Sequence, residues 1–326
     1  MPSGLGASAS PAVSSSPLDT FICVHSRDLG HLFELTLRSY ELNFQPRGRL
    51  FLITNDLGAL RDVLDRTGLG AGAQLMADDD LLSASERTLP GWYRQQIIKL
   101  RAHEFCETRD FCNLGADTVL LQPIVREDVV AADQPILYYN GPRGYSVATP
   151  DFWMDRWYEM IRVDYVSKIL RVRPTVSRRY VDFIFDLFCF NRTHLTGLNQ
   201  HLAKLYGPDY FYTLLSTLGD TDRKRFGEWT LYSMYLLDGV RAPVEMRNSA
   251  ASFLRQIRNR RILKNYQFDS KVVHFVDKGM SPQEITQKIV ASNLPLGRQL
   301  LAHADQGGAR TSQSAELSST DSLCIS

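Results

Sequence analysis

Asp110-Phe111-Cys112-Asn113-Leu114-Gly115-Ala116-Asp117-Thr118-Val119-Leu120-Leu121 reads as one apolar strand that runs into a single carboxylate, Asp117, and restarts at once as a second apolar strand. A carboxylate set between two buried strands costs free energy unless something pairs with it. At the carboxyl edge of a parallel sheet that partner is usually a ligand or a metal ion. The plainer reading, an aspartate that caps a turn, fits the local pattern as well. Upstream, Thr20-Phe21-Ile22-Cys23-Val24-His25 and Arg49-Leu50-Phe51-Leu52-Ile53-Thr54 are short, apolar and rich in β-branched residues, the mark of buried parallel strands. A helical pattern carrying Leu32, Leu35, Leu37 and Leu42 lies between them, and Leu57 to Arg66 forms another. This β-α-β-α order predicts a mainly parallel sheet flanked by helices, with right-handed crossovers.

Residues 89–105 read as a helix opened by Pro90. Strands follow at 111–114, 118–121 and 135–139. The second half mixes helices at 151–162, 192–206 and 228–238 with a strand-like run at 181–190. A late strand, Lys271 to Phe275, precedes a helix with Ser281 as its cap, Pro282 at its first position and Glu284 to complete a capping box. No internal repeat occurs. Residues 1–17 and 304–326 are polar and of low complexity, so both are expected to be disordered tails around one domain at 18–303.

The 326 residues carry a formal net charge of only +1, which gives no global pull toward nucleic acid or an anionic membrane. A hydrophobic fraction of 44% beside 22% charged residues suits a globular core. Five cysteines without metal-type spacing suggest buried free thiols in a reducing compartment. The first residues lack the basic and apolar regions of a secretory signal, and Cys324-Ile325-Ser326 is one residue short of a prenylation box. No stretch reaches the roughly 20 apolar residues that span a bilayer. The expectation is a cytoplasmic protein without a transmembrane segment, for which contact with a membrane surface stays open.

Ahead of the acidic turn lies Gly91-Trp92-Tyr93-Arg94-Gln95-Gln96-Ile97-Ile98-Lys99-Leu100, and far behind it Phe226-Gly227-Glu228-Trp229-Thr230-Leu231-Tyr232. With the strand, acidic turn and strand between them, these segments resemble the GT-A type of nucleotide-sugar glycosyltransferase. More narrowly, they are similar to a bacterial family known mainly from sequence, with a Gly-Trp-Tyr-x-Gln-Gln-x-x-Lys-Leu helix and a later Ser/Gly-Glu-aromatic-x-x-Tyr segment. Order and spacing match from about residue 20 to 276. The resemblance implies a GT-A-like (Rossmann-like) α/β fold in a single domain. It departs at one place: the usual Asp-x-Asp, whose second aspartate binds a divalent ion, here reads Gly115-Ala116-Asp117. Asp117 is the implied ligand for Mn²⁺ or Mg²⁺, with two phosphate oxygens and water to complete an octahedron.

Trp92, Gln96 and Lys99 fall at i, i+4 and i+7 and share one helix face, which suits a nucleotide or sugar, with Lys99 balancing phosphate charge. An ordinary solvated face is the plainer reading. His25 and Arg27 follow the first strand and Asn55 the second, at the edge where ligands bind in open α/β sheets. By the resemblance the loop at His25 and Arg27 touches the base and ribose; Asn55 and Asp56 end the second strand in an equivalent way but could equally be turn residues, and Asn113 is a further candidate donor contact. Glu228 begins a helical run; as an acceptor's base it would give inversion of configuration, and as a first-turn glutamate it would only favour the helix. His274, in the late strand, is either a further metal ligand, as in some enzymes of this fold, or a core histidine. Basic groups at Arg171, Arg173, Arg178 and Arg179, and at Arg255, Arg258, Arg260, Arg261 and Lys264, could cover an anion or face solvent. The expected partners are a nucleotide-sugar donor and a hydroxyl-bearing acceptor, with no nucleic acid. Transfer of the sugar is the expected activity. A non-catalytic descendant that binds a nucleotide or glycan is the rival that the missing first aspartate keeps open, and nucleotidyl transfer on a related fold is a third.

Overall fold

In the computed structural model the described residues are 16–139, 150–177, 183, 186–218, 225–248, 254–257, 270–275, 281–292 and 296–298; the side chains of 150–159, 254–257, 274 and 282 are outside that description. Residues 1–15 and 304–326 of the two expected tails, the basic positions Arg178, Arg179, Arg258, Arg260, Arg261 and Lys264, the side chain of Arg255, and Cys324 also lie outside it.

Four strands run parallel: β1 (Leu18–Val24), β2 (Arg47–Thr54), β3 (Gln74–Ala77) and β4 (Asp110–Leu114). A fifth, β8 (Leu187–Asn191), closes the edge antiparallel to β4, and the order is β3-β2-β1-β4-β8. The expected mainly parallel α/β sheet is therefore present. Helix α1 (His31–Asn43) links β1 to β2, and α2 (Leu57–Thr67) links β2 to β3. Helix α3 (Gly91–Leu100) then carries the chain back past β1 to β4. Chain direction across the sheet thus reverses between β1 and β4, and such a reversal opens a crevice at the carboxyl ends of the two strands.

Beyond β4, β5 (Thr118–Leu120) leaves the main sheet to pair antiparallel with β11 (Val272–Phe275), which runs parallel to β10 (Leu254–Ile257). A third sheet joins β6 (Val130–Ala131), β7 (Gln134–Tyr139) and β9 (Glu245–Asn248). The remaining helices are α4 (Pro150–Leu170), α5 (Arg192–Tyr206), α6 (Tyr210–Leu215), α7 (Glu228–Met234) and α8 (Pro282–Ala291).

The core explains the strand pattern. Phe21, Phe51, Phe111 and Phe190 are buried, and the Phe21, Phe111 and Phe190 rings pack with centroids 5.9–6.4 Å apart. Burying one such side chain is worth about 1.5–3 kcal/mol. Asp19 ties the layers together: its carboxylate accepts from Arg49 N (3.0 Å), Arg49 Nη2 (2.9 Å), Glu107 N (2.8 Å) and Thr108 N (3.2 Å). Burial opposes the charge on Asp19, yet these donors outweigh it and hold the carboxyl below its usual range.

Several boundaries differ from the expectation. The helix that opens at Pro90 ends at Leu100, where Arg101 N donates to the carbonyls of Ile97 and Ile98 and the chain then tightens into a 3-10 turn at Ala102–Glu104. The helix expected at 151–162 continues to Leu170, and the one expected at 228–238 turns into a π-helical segment at Tyr235–Gly239. No capping box forms before α8, because the Ser281 hydroxyl donates instead to Gln283 Oε1 at 2.8 Å. Cys23, Cys106, Cys112 and Cys189 are free thiols. Among the described residues no helix is long and apolar enough to cross a membrane.

Candidate functional site

The crevice at the carboxyl ends of β1 and β4 is a cleft of about 260 Å³. Cys23 and Val24 form its floor from β1, and Asn113 and Leu114 from β4. The turn after β4 supplies Gly115, Ala116 and Asp117, closed by Thr118 N donating to Gly115 O at 3.2 Å. Helix α3 contributes Trp92, Gln95, Gln96 and Lys99, so the face read at i, i+4 and i+7 does look into the cleft. Ile97, Ile98 and Leu100 are buried in the core behind it. Helix α7 adds Glu228, Trp229 and Thr230.

Lys99 and Glu228 meet inside this cleft. Lys99 Nζ donates to Glu228 Oε1 at 2.7 Å, and their side chains are 12% and 2% exposed. The same ammonium stands 4.5 Å from the centroid of the Trp229 ring, a cation–π arrangement. Burial works against the charge of Lys99. The Glu228 carboxylate outweighs it, with help from Asp186, and holds the ammonium above its usual range. Gln96 adjoins the same carboxylate, and its amide nitrogen donates there in the orientation that satisfies both groups. Burial pushes the Cys23 thiol up to about 12 against the opposing pull of Lys99, so this thiol is neutral and a poor nucleophile.

The other residues read from the sequence are arranged less closely. Asn113 is buried, donates to Phe21 O (3.2 Å) and Leu114 O (3.4 Å), and its Oδ1 has no hydrogen-bond partner. His25 lies outside the cleft lining: its Nδ1 accepts from Arg27 N at 3.2 Å, which fixes the loop after β1. Arg27 is exposed and 3.8 Å from Asp28. Asn55 is a brace, accepting from Ser26 N (2.8 Å) and donating to Ser26 Oγ (3.1 Å). Asp56 caps α2 by accepting from Ala59 N at 3.0 Å. The backbone of His274 pairs with Thr118 in the β11–β5 register, and Phe275 N donates to Asp117 O at 3.0 Å. The side chain of His274 lies outside the described residues.

Two charged lining residues, Asp186 and Arg162, were not read from the sequence. Asp186 stands before β8, beside the acidic turn, where its carbonyl accepts from Gly115 N at 2.7 Å. Its signal was available, since Asp186-Leu187-Phe188-Cys189-Phe190 is again a carboxylate set against an apolar strand. Arg162, from α4, is 8% exposed and reaches the cleft past Gly227; a Cβ at position 227 would sit 2.9 Å from Arg162 Cδ. No local pattern announces that approach.

The lining therefore sets Asp28, Asp117, Asp186 and Glu228 against Lys99 and Arg162. An anionic ligand such as a diphosphate would add to an acidic excess, and a divalent cation bound with it would offset the repulsion. The residues around the turn suit a hard cation, because position 115 has no side chain and two oxygens, Thr118 Oγ1 and Asp117 Oδ1, stand beside the space a Cβ would take. Among the described residues no three His, Cys, Asp or Glu side chains cluster as a metal site of their own.

Residues 63–259 match the family model described as "Family of unknown function (DUF6492)". No curated protein matches the chain. Among solved structures, the WbbM bifunctional glycosyltransferase is similar at a TM-score of 0.49 and 10% identity, over 90% of this chain and 52% of that one. The chain thus spans about half the length of WbbM. The galactosyltransferase LgtC, solved with donor and acceptor sugar analogs, is similar at a TM-score of 0.44 and 11% identity, over 84% of this chain and 96% of LgtC. Mouse xyloside xylosyltransferase 1 is similar at 0.43 and 12% identity, over 82% and 100% of the two chains.

Proposed function

The chain belongs to DUF6492, a family of unknown function, and from its cleft we propose that it transfers a sugar from a nucleotide diphosphate donor to a hydroxyl-bearing acceptor. The observation that carries this reading is the Lys99 ammonium, held by Glu228 over Trp229 and opening on the same cleft as Asp117. A buried cation aimed into a cleft at a sheet's reversal point suits a departing diphosphate. The motif resemblance supports the same reaction.

In this reading Lys99 and Arg162 take the diphosphate charge, while Trp92, Gln96 and Asn113 contact the donor from the cleft. The loop carrying His25 and Arg27, braced by Asn55, would meet its base and ribose from outside the cleft lining. Asp117 would hold Mn²⁺ or Mg²⁺, with His274 as the further ligand that the resemblance implies. The bound ion would draw charge from the leaving diphosphate. Glu228 acts on the acceptor: its carboxylate is freed when Lys99 turns to the diphosphate, and it takes the acceptor's hydroxyl proton as the hydroxyl oxygen attacks the anomeric carbon. The bond from that carbon to the diphosphate breaks in the same step, with inversion.

One feature favours a second reading. Lys99 and Gln96 together engage the Glu228 carboxylate, which would suit a protein that binds a nucleotide or glycan without turning it over.

Thermal shift against a panel of nucleotide sugars, with and without Mn²⁺, tests both. A ligand at 100 times its Kd adds about 2.7 kcal/mol of stability. A shift with one donor plus slow release of nucleoside diphosphate is the expected result. Binding without release points to the second reading, and no shift with any donor overturns both.

A further inference from the structure

The feature that breaks the family resemblance, Gly115, also leaves a space bordered by two oxygens and the Asp186 side chain. A Cβ built on Gly115 would stand 2.7 Å from Thr118 Oγ1, 3.2 Å from Asp186 Cβ and 3.3 Å from Asp117 Oδ1. Any side chain at position 115 would fill the space that these three residues share. Thr118 is fully buried and its hydroxyl has no hydrogen-bond partner. Asn113 is 1% exposed, and its Oδ1 likewise lacks one. Both lie on the strands that flank the turn, and Asn113 lines the same cleft as the two aspartates. A buried oxygen without a partner costs free energy unless a ligand supplies one. A concentration of hard oxygen donors selects a hard divalent cation over the softer metals.

We propose that Asp186 and the Thr118 hydroxyl join Asp117 in an oxygen-donor site for one Mg²⁺ or Mn²⁺ ion, and that residue 115 is glycine so that Asp186 can enter it. A residue distant in sequence thereby does what the first aspartate of Asp-x-Asp would do. The assignment rests on the reading of the cleft as a nucleotide-sugar site, but the metal can be tested by itself.

The probe is Mn²⁺ alone, titrated into the full chain and followed by electron paramagnetic resonance, then repeated with a nucleoside diphosphate. Wild type should bind one ion. Asp186→Asn, nearly isosteric, should weaken binding about tenfold or more, as loss of a charged oxygen ligand does. Thr118→Val should weaken it less. Gly115→Ala should weaken it by displacing Asp186, while Asp28→Asn, another carboxylate of the cleft, should leave the affinity unchanged. Circular dichroism and melting without metal show that each variant is folded, and Asp186→Glu provides a charged replacement should Asp186→Asn fail to fold. Equal Mn²⁺ affinity in wild type and Asp186→Asn overturns the proposal, as does equal weakening by Asp28→Asn. Loss of Mn²⁺ binding in Asp186→Asn, with no nucleotide sugar ever hydrolysed or transferred, removes the transfer reading and leaves the metal site standing.

Discussion

Lys99 Nζ and Glu228 Oε1, 129 positions apart in the chain, stand 2.7 Å from each other and fasten α3 to the start of α7 across the floor of the cleft. Taking both charges out of water is costly, and their attraction offsets that cost only while both are present. Lys99→Met or Glu228→Gln alone should therefore lower stability by about 3 kcal/mol, the lower end for breaking a buried pair. The double variant should lose much less than the two single losses combined. Urea unfolding of the four proteins measures this coupling, and strict additivity would show that the pair holds nothing together.

The two carboxylates of the site separate by what they touch. Asp117→Asn keeps size and removes the charge that a hard cation needs, so it should abolish the Mn²⁺-dependent part of donor binding while the fold remains. Glu228→Gln should keep donor binding and depress transfer, as expected of a group that acts in the transition state. Calorimetry with and without Mn²⁺, followed by transfer rates, reads both. Donor affinity that is equal in wild type and Asp117→Asn at every metal concentration would take Asp117 out of the site.

Gly115 and Gly227 both permit close approach to a buried side chain, with different consequences for binding. At 115 an added Cβ meets the short, buried Thr118 side chain at 2.7 Å, and neither that hydroxyl nor Asp186 can retreat cheaply. Gly115→Ala should lower stability by about 1–3 kcal/mol, as overpacking does. At 227 the Cβ meets Arg162 Cδ at 2.9 Å and Nε at 3.1 Å, in the middle of a side chain that is itself only 8% exposed. Gly227→Ala should also lower stability by about 1–3 kcal/mol, and should in addition weaken binding of a nucleoside diphosphate by moving Arg162. Melting curves and calorimetry on the two variants decide between these outcomes.

Stability at low pH should depend on Asp19. Its folded carboxyl lies below the ordinary 3.8 because four donors from Arg49, Glu107 and Thr108 outweigh burial. A depressed acid stabilises the fold fully above its unfolded value and loses that contribution as pH falls through the folded one. Acid titration of the melting temperature should thus show a decline below about pH 4 that Asp19→Asn flattens, with that variant already less stable at neutral pH. Lys99 gives the alkaline counterpart. Burial opposes its charge, but Glu228 prevails and raises it above 10.5, so its contribution persists below that value and is lost as pH climbs through the folded one. Glu228→Gln should remove that alkaline loss.

The sequence by itself determined the longer apolar strands, the mainly parallel sheet and the helix face that looks into the cleft, but not β3, β6, β9 or β10. Uninterrupted apolar runs such as Arg49 to Thr54 have one stable solution, burial on both faces of a parallel sheet. The spacing of Trp92, Gln96 and Lys99 sets their direction within a single helix. These are local consequences of backbone periodicity. The tertiary structure alone decided which distant groups meet. Lys99 looked like a phosphate ligand and Glu228 like a separate base, yet they form one pair because α7 packs its first residue against α3. Asn55 and His25 sit at the expected sheet edge, but Asn55 bonds across to Ser26 in the loop after β1, His25 accepts from Arg27 N within that loop, and neither lines the cleft. Asp186 and Arg162 enter the site only because Gly115 and Gly227 make room for them. Such approaches depend on packing between elements far apart in the chain, and no period of 2 or 3.6 residues encodes them.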